Sequence, residues 1–288
     1  MKQLLIISGK GGTGKTTLTT SFAALSDNFI MADCDVDASD LHLLLKPEVI
    51  ETHDFYSGKT ASINQSECVK CYKCATNCAY QAISEDLVVD PVLCEGCTLC
   101  SQVCPTQAIE VEDNLCGEWY QSETRFGPMI HASLGIAEEN SGKLVTRVIT
   151  EARELGQKEE KEILLIDGPP GIGCPVISSF SGTDLVLIVT EPTVSGKHDL
   201  ERVITLANHF QVESLVCINK ADLDEKMAEE IISYCEKEGV QIVGQIPFDK
   251  KITEAVSLGN IPVEESNSHA GKAIKNIYQL VIDELLSK

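Results

Sequence analysis

The 288-residue chain is 43% hydrophobic with 20 Gly and 10 Pro, long enough to bury a core in one or two domains and too apolar for a disordered or collagen-like protein. Its 23 Lys and Arg against 44 Asp and Glu give a net charge of −21, a field that repels nucleic acid and anionic lipid headgroups. Eight of the 13 cysteines fall between Cys68 and Cys104, which marks a site rather than a disulfide scaffold.

Met1–Ile7 lacks the apolar core and small-residue cleavage site of a secretory signal, so a cytoplasmic chain is expected. No apolar run nears the ~18 residues of a membrane span, and no stable membrane anchoring is expected. In chain order, Leu4–Ser8 reads as a strand, followed by a helix from about Lys15 and a strand at Phe29–Ala32. Residues 61–113 break this rhythm: short runs separate the cysteines, and eight acidic residues face only Lys70 and Lys73. They read as a small inserted domain, with 1–60 and 114–288 forming the other domain. Trp119–Ser122 and Phe126–Ala132 look like two strands around a polar turn. Asn140-Ser141-Gly142 then opens a helical stretch to about Gly156, with Ser141 as its cap; an anion site at Glu138–Lys143 is the other reading. Strands recur at Ile163–Ile166, Leu185–Thr190, Leu215–Asn219 and Val240–Ile246, with helices at 197–210 and 223–238. The alternation implies an α/β fold, a mostly parallel sheet with helices on both faces. The last segment, 269–286, puts Ile274, Ile277, Tyr278, Val281 and Leu285 on one helical face, and its polar face is not rich in the Lys and Arg of a membrane-surface helix.

Ser8-Gly9-Lys10-Gly11-Gly12-Thr13-Gly14-Lys15-Thr16-Thr17 follows a predicted strand and opens a predicted helix, the context in which Gly-x-x-x-x-Gly-Lys-[Ser/Thr] binds phosphate. The glycines turn successive N–H groups from Gly11 to Thr17 toward one centre, and the helix terminus adds positive potential. Lys15 is expected to reach the β/γ-phosphates and Thr16 to ligate Mg2+. A chance glycine-rich turn is the plain alternative. After the apolar run Ile163–Ile166, Asp167 begins Asp167-Gly168-Pro169-Pro170-Gly171, which fits a Walker B acid at the magnesium site leading into a switch loop that senses the γ-phosphate, with Gly168 and Gly171 as hinges.

Lys10, a second lysine just after the loop's first glycine, makes the motif resemble the deviant Walker A family: MinD and ParA ATPases, the nitrogenase iron protein and Mrp-type iron–sulfur carriers. The resemblance implies a doubly wound P-loop domain that dimerises with its own kind or with a similar ATPase, Lys10 reaching the partner's nucleotide. It also implies that in Asp33-Cys34-Asp35 the second acid positions the attacking water while Asp33 supports the magnesium shell; Asp37 and Asp40 read as surface acids. Asn219-Lys220-Ala221-Asp222 is of the type that reads guanine, but the resemblance places an Asn against adenine here, so ATP is expected. Pro247 lies in the other adenine-contacting segment, Ile246-Pro247-Phe248-Asp249. A solvated loop lysine and ordinary strand-end turns are the plainer readings.

Cys68-x-x-Cys71-x-x-Cys74-x-x-x-Cys78 and Cys94-x-x-Cys97-x-x-Cys100-x-x-x-Cys104-Pro105 repeat the bacterial ferredoxin spacing 26 residues apart. This resemblance implies a small α+β ferredoxin domain with two 4Fe-4S clusters. One is held by Cys68, Cys71, Cys74 and Cys104, the other by Cys94, Cys97, Cys100 and Cys78. Two zinc sites, each of four cysteines, are the alternative. Ala79 departs from the proline that usually follows the fourth cysteine. Of the remaining cysteines, Cys217 and Cys235 read as small buried hydrophobes. Cys174, seven residues beyond Asp167, resembles in its offset the ligand of the iron protein's dimer-bridging cluster, and Cys116 is the candidate second ligand.

The expected function is an ATPase whose nucleotide-driven dimer gates electron transfer from two clusters. An iron–sulfur or metal cluster carrier is the alternative, and a MinD-like positional switch the third. A redox or cluster-accepting partner should offer a basic docking surface to this acidic chain, and nucleic acid is not an expected partner.

Overall fold

The computed structural model describes residues 1–36, 41–135, 140–264 and 268–287; Asp37, Asp40, Glu138 and Glu139 lie outside them. In chain order the elements are β1 (Lys2–Ser8), α1 (Lys15–Leu25), β2 (Phe29–Asp33), α2 (Leu41–Leu45), β3 (Glu48–Ile63), α3 (Lys73–Asn77), α4 (Leu99–Val103), β4 (Ile109–Thr124), β5 (Gly127–Leu134) and α5 (Ser141–Lys158). There follow β6 (Ile163–Pro170), α6 (Cys174–Ser179), β7 (Leu185–Thr190), α7 (Val194–His209), β8 (Glu213–Asn219), α8 (Glu225–Glu238), β9 (Gln241–Ile246), α9 (Lys250–Ser257) and α10 (His269–Ser287). Two compact units form: Met1–Thr52 with Trp119–Ser133 and Ser141–Lys288, and His53–Glu118 with Leu134–Asn140.

In the first unit the strand order is β4-β5-β2-β6-β1-β7-β8-β9, and the pairs β5–β2, β2–β6, β6–β1, β1–β7, β7–β8 and β8–β9 are parallel. Helices cover both faces, so the central strands are apolar along their whole length instead of alternating. Leu4 and Ile6 of β1 join Leu18 and Phe22 of α1 and Ile274 and Ile277 of α10 in one core. Leu5 and Ile7 between them are equally enclosed on the opposite face. The face read from 269–286 is the packed one: Ile274, Ile277, Val281 and Leu285 are buried, with Tyr278 packed beside them. Helix ends follow local chemistry. Thr193 caps α7 by accepting from Gly196 N at 2.9 Å, Asp224 caps α8 by accepting from Met227 N at 3.0 Å, and Gly239, at φ +71°, ends α8.

β1 lies between β6 and β7, where chain connections part to the two halves of the sheet, and the crevice beyond the strands' carboxyl ends is the place such a sheet offers a ligand. The loops after β1, β2, β7, β8 and β9 carry Lys10–Lys15, Cys34–Asp35, Glu191, Lys220 and Pro247, while Asp167 lies near the same end of β6. Two local expectations are corrected. Gly168 is a packing residue of β6, since a Cβ there would lie 2.3 Å from Ile7 Cγ2; Gly171, at φ +91°, takes the turn. Ser141 is the first residue of α5 rather than the residue ahead of it.

In the second unit, which is wider than residues 61–113 because its strands run on past the cysteines, β3 and β4 are neighbours and the repeat is visible in the backbone. Lys70 and Gly96, Tyr72 and Thr98, and Gln81 and Gln107 are pairs 26 residues apart, and all six have left-handed φ between +54° and +63°. α3 and α4 are offset by the same 26 residues. Ala61, Cys74, Leu87 and Ile109 form the buried centre of this unit.

Candidate functional site

α1 opens at Gly14, at φ +93°, with no side-chain cap, which leaves the first-turn N–H groups available to an anion. The loop admits no larger residue at two points: a Cβ on Gly9 would lie 2.3 Å from Asp199 Cβ, and one on Gly14 2.3 Å from Asn219 Nδ2. Asn219 Nδ2 donates to Thr13 O at 2.7 Å, tying the loop to the end of β8. Thr13 Oγ1 is buried with no hydrogen-bond partner among the described residues, an orphaned hydroxyl in a phosphate-binding motif.

Lys15 is 6% exposed and donates to Asp167 Oδ2 at 3.0 Å, with Asp35 Oδ2 at 3.8 Å. Burial disfavours its charge, but Asp167, Asp35 and Asp33 outweigh that and raise its pKa above the ordinary lysine value. Thr16 Oγ1 donates to the same Asp167 oxygen at 3.1 Å. Asp33 and Asp167 face each other across the β2–β6 register, and Asp33 Oδ1 accepts from Asp35 N at 3.1 Å. Lys15, Thr16, Asp33, Asp35 and Asp167 are therefore brought together. Thr19, one turn beyond Lys15 on α1, was not among the expected residues; its hydroxyl lies 2.7 Å from Asp167 Oδ1 and orients it. The only trace in the sequence is the i,i+4 spacing from Lys15. Cys34 is fully buried between the acids; burial first, then Asp33 and Asp167, push its thiol far up, so it stays protonated and inert.

Lys10 pairs with Glu191 of its own chain and donates to Ser195 Oγ at 3.1 Å. Lys220 Nζ reaches the same carboxylate at 3.2 Å and Gly12 O at 3.3 Å. Partial burial disfavours the Glu191 charge, but the two lysines prevail and lower its pKa. Its pairing therefore holds at neutral pH and is lost only as pH falls through that lowered value. Glu191 was not singled out in sequence, since a lone acid after a strand carries no motif. Beside this cluster a cleft is lined by Gly14, Asn219, Pro247, Phe248 and Ile252. Asp222 Oδ1 accepts from Phe248 N at 2.6 Å, fixing the segment after β9 that forms one wall.

In the second unit one cavity is lined by Cys68, Cys71, Cys74 and Cys104, and another by Cys78, Cys94, Cys97 and Cys100. The fourth cysteine of each run thus lies with the other run's first three. Among the described residues no group of three or more His, Cys, Asp or Glu side chains is close enough to hold a single metal ion. Cys174 is exposed at the start of α6. Cys116, its expected co-ligand, does not suit that role: it is fully buried and its thiol donates to Ser57 O at 2.9 Å, so it cannot bridge to another chain. Cys217 and Cys235 are buried, and desolvation pushes their thiols to about 12 and about 11. No helix among the described residues is long and apolar enough to cross a membrane.

Comparison with known proteins gives this geometry a family. The model for the CobQ/CobB/MinD/ParA nucleotide binding domain matches residues 4–263. An uncharacterized protein of Methanocaldococcus jannaschii is 35% identical over 280 residues, covering 96% of this chain and 95% of its own. An iron-sulfur cluster carrier protein of Pyrococcus furiosus is 27% identical over 163 residues, half of this chain and 53% of its own. Among solved structures, the septum site-determining protein MinD of Pyrococcus horikoshii, complexed with Mg-ADP, shares the fold with a TM-score of 0.58 at 18% identity, covering 99% and 97% of the two chains. With a glycine loop, a buried lysine and paired strand-end acids where this fold places a nucleotide, the chain belongs to the CobQ/CobB/MinD/ParA nucleotide-binding family and is a P-loop ATPase of the MinD/ParA type.

Proposed function

We propose that the chain is an ATP-hydrolysing iron–sulfur protein in which a nucleotide-driven dimer gates electron transfer from two 4Fe-4S clusters to a partner protein. The observation that carries this reading is the exchange of Cys78 and Cys104 between two separate cysteine-lined cavities. Zinc fits less well, because single-ion ligation needs sulfurs about 2.3 Å from one centre and the described residues offer no such group. Bound clusters would supply one-electron chemistry. The chain's cysteines would hold them, and the acidic residues around them favour a partner with a basic docking surface.

At the ATPase site, the backbone from Gly11 to Thr17 and the Thr13 hydroxyl would receive the phosphates. Lys15 would exchange Asp167 for the β/γ-phosphates, freeing that carboxylate for the shell of Mg2+ with Asp33 and Thr16. Asp35, partly exposed beside Lys15, would orient the attacking water. Adenine fits the cleft between Asn219 and Pro247, and Asp222, with one oxygen already used on Phe248 N, favours ATP over GTP. Lys10 would leave Glu191 to reach the second subunit's phosphates, coupling dimerisation to nucleotide. Glu191→Gln should therefore lower the ATP concentration for half-maximal dimerisation several-fold, read by sedimentation velocity; an unchanged midpoint means that Glu191 does not restrain Lys10.

The gating itself is tested with the reduced full chain and a low-potential electron acceptor protein, with and without ATP. Faster delivery with ATP is expected, and equal rates together with an unchanged ATPase would end this reading. A carrier function is the second reading, favoured by the exposed Cys174 and by the half-length similarity to proteins named as cluster carriers. With Cys116 buried, a labile cargo would need Cys174 from both subunits, and transfer to an apo-protein that survives Cys174→Ala would exclude it.

A further inference from the structure

We propose that the chain biases its two cluster sites unequally, so that the site of Cys68, Cys71, Cys74 and Cys104 accepts an electron before that of Cys94, Cys97, Cys100 and Cys78; this rests on the two-cluster reading above. The 26-residue repeat permits comparison position by position. Where the first cysteine loop has Val69, Lys70 and Lys73, the second has Glu95, Gly96 and Leu99. Both lysines of the segment 61–113 thus sit in the first loop, and an acid sits in the second. All three charged side chains are exposed on loops whose cysteines line the respective cavities.

A further difference lies at the sulfur itself. Cys104 Sγ accepts from Ala108 N at 3.3 Å and has Thr106 Oγ1 3.7 Å away. A coordinated thiolate carries no proton, so the hydroxyl is then the donor. The position equivalent to Thr106 is Tyr80, whose hydroxyl stands at the far end of a ring, and among the described residues Cys78 Sγ receives no bond matching those of Cys104. Cys104 belongs to the first site, so this asymmetry adds to that of the lysines.

An electron makes a cluster site more negative. Nearby cations and hydrogen bonds to sulfur stabilise that state, and a nearby carboxylate opposes it. Lys70, Lys73, Thr106 and Glu95 therefore act in the same sense. The lysine and glutamate contributions pass through solvent and weaken with salt, whereas the Thr106 contribution acts at contact and does not. Between the sites the transfer balances as one electron lost by the second and one gained by the first, the supply being a low-potential one-electron donor.

The test is a stepwise reduction of the anaerobic full chain with dithionite, followed by paramagnetic resonance. Two steps are expected, separated by at least a tenfold electron partition, about 59 mV for a one-electron couple. Lys70→Gln with Lys73→Gln should shift the higher step down, less at high salt. Thr106→Val should shift it down equally at low and high salt, and Glu95→Gln should raise the lower step. A single shared step, or variants at 70, 73 and 106 that leave the higher step in place, overturns the inference while about eight irons per chain keep the two-cluster reading intact. An iron content far below that removes both.

Discussion

Lys15→Ala is expected to lose ATP binding by roughly 100-fold or more and, separately, to destabilise the nucleotide-free protein by about 3–5 kcal/mol. The first effect follows from removing the cation that meets the phosphates. The second follows from burial: Lys15 is 6% exposed, Asp167 1%, and Asp33 and Asp35 share its charge. Truncation leaves three acids at the strand ends without this cation, and burial makes their mutual repulsion costly. Fluorescent-nucleotide titration and a denaturant midpoint measure the two effects independently. Asp35→Ala is the contrast, retaining ATP binding and losing turnover; a variant that still turns over would show that the water is held elsewhere.

Cys74→Ala is expected to lower iron and sulfide from about eight to about four of each per chain after anaerobic reconstitution, and to loosen the whole second unit. Cys74 is the most buried of the eight clustered cysteines, at 7% exposure, and packs with Ala61, Leu87 and Ile109. So few buried side chains make a thin core, which the proposed cluster ligation would supplement. Hydrogen exchange should rise across β3, β4 and the repeat, while Cys235→Ala, in α8, leaves iron unchanged. Full iron in Cys74→Ala would remove Cys74 from the ligand set.

Much of this molecule is legible in its sequence. Unbroken apolar runs such as Leu185–Val189 announce strands buried on both faces, and their alternation with helices leaves few arrangements other than a parallel sheet. The P-loop was legible because its chemistry is local: the glycines, Lys15 and Thr16 lie within one turn and one loop. Each run of four cysteines was legible for the same reason, whereas the exchange of Cys78 and Cys104 between the runs is non-local and came from the resemblance to bacterial ferredoxins. The glycine at 168 was misread because a glycine needed for a bend and one needed for close packing look alike; the Cβ that would strike Ile7 exists only in the assembled sheet.

The sequence alone determined the kind of chemistry: a phosphate loop with its lysine, strand-end acids, a repeated cysteine spacing and a strongly acidic surface, each recorded in contiguous residues. Only the tertiary structure decided who meets whom. It paired Lys10 with Glu191, 181 positions away in the chain, set Thr19 against Asp167, enclosed Cys116 beside Ser57 and left Cys174 in solvent. The physical reason is that motif identity resides in neighbouring residues, whereas charge pairing and burial depend on which strand ends the parallel sheet brings together.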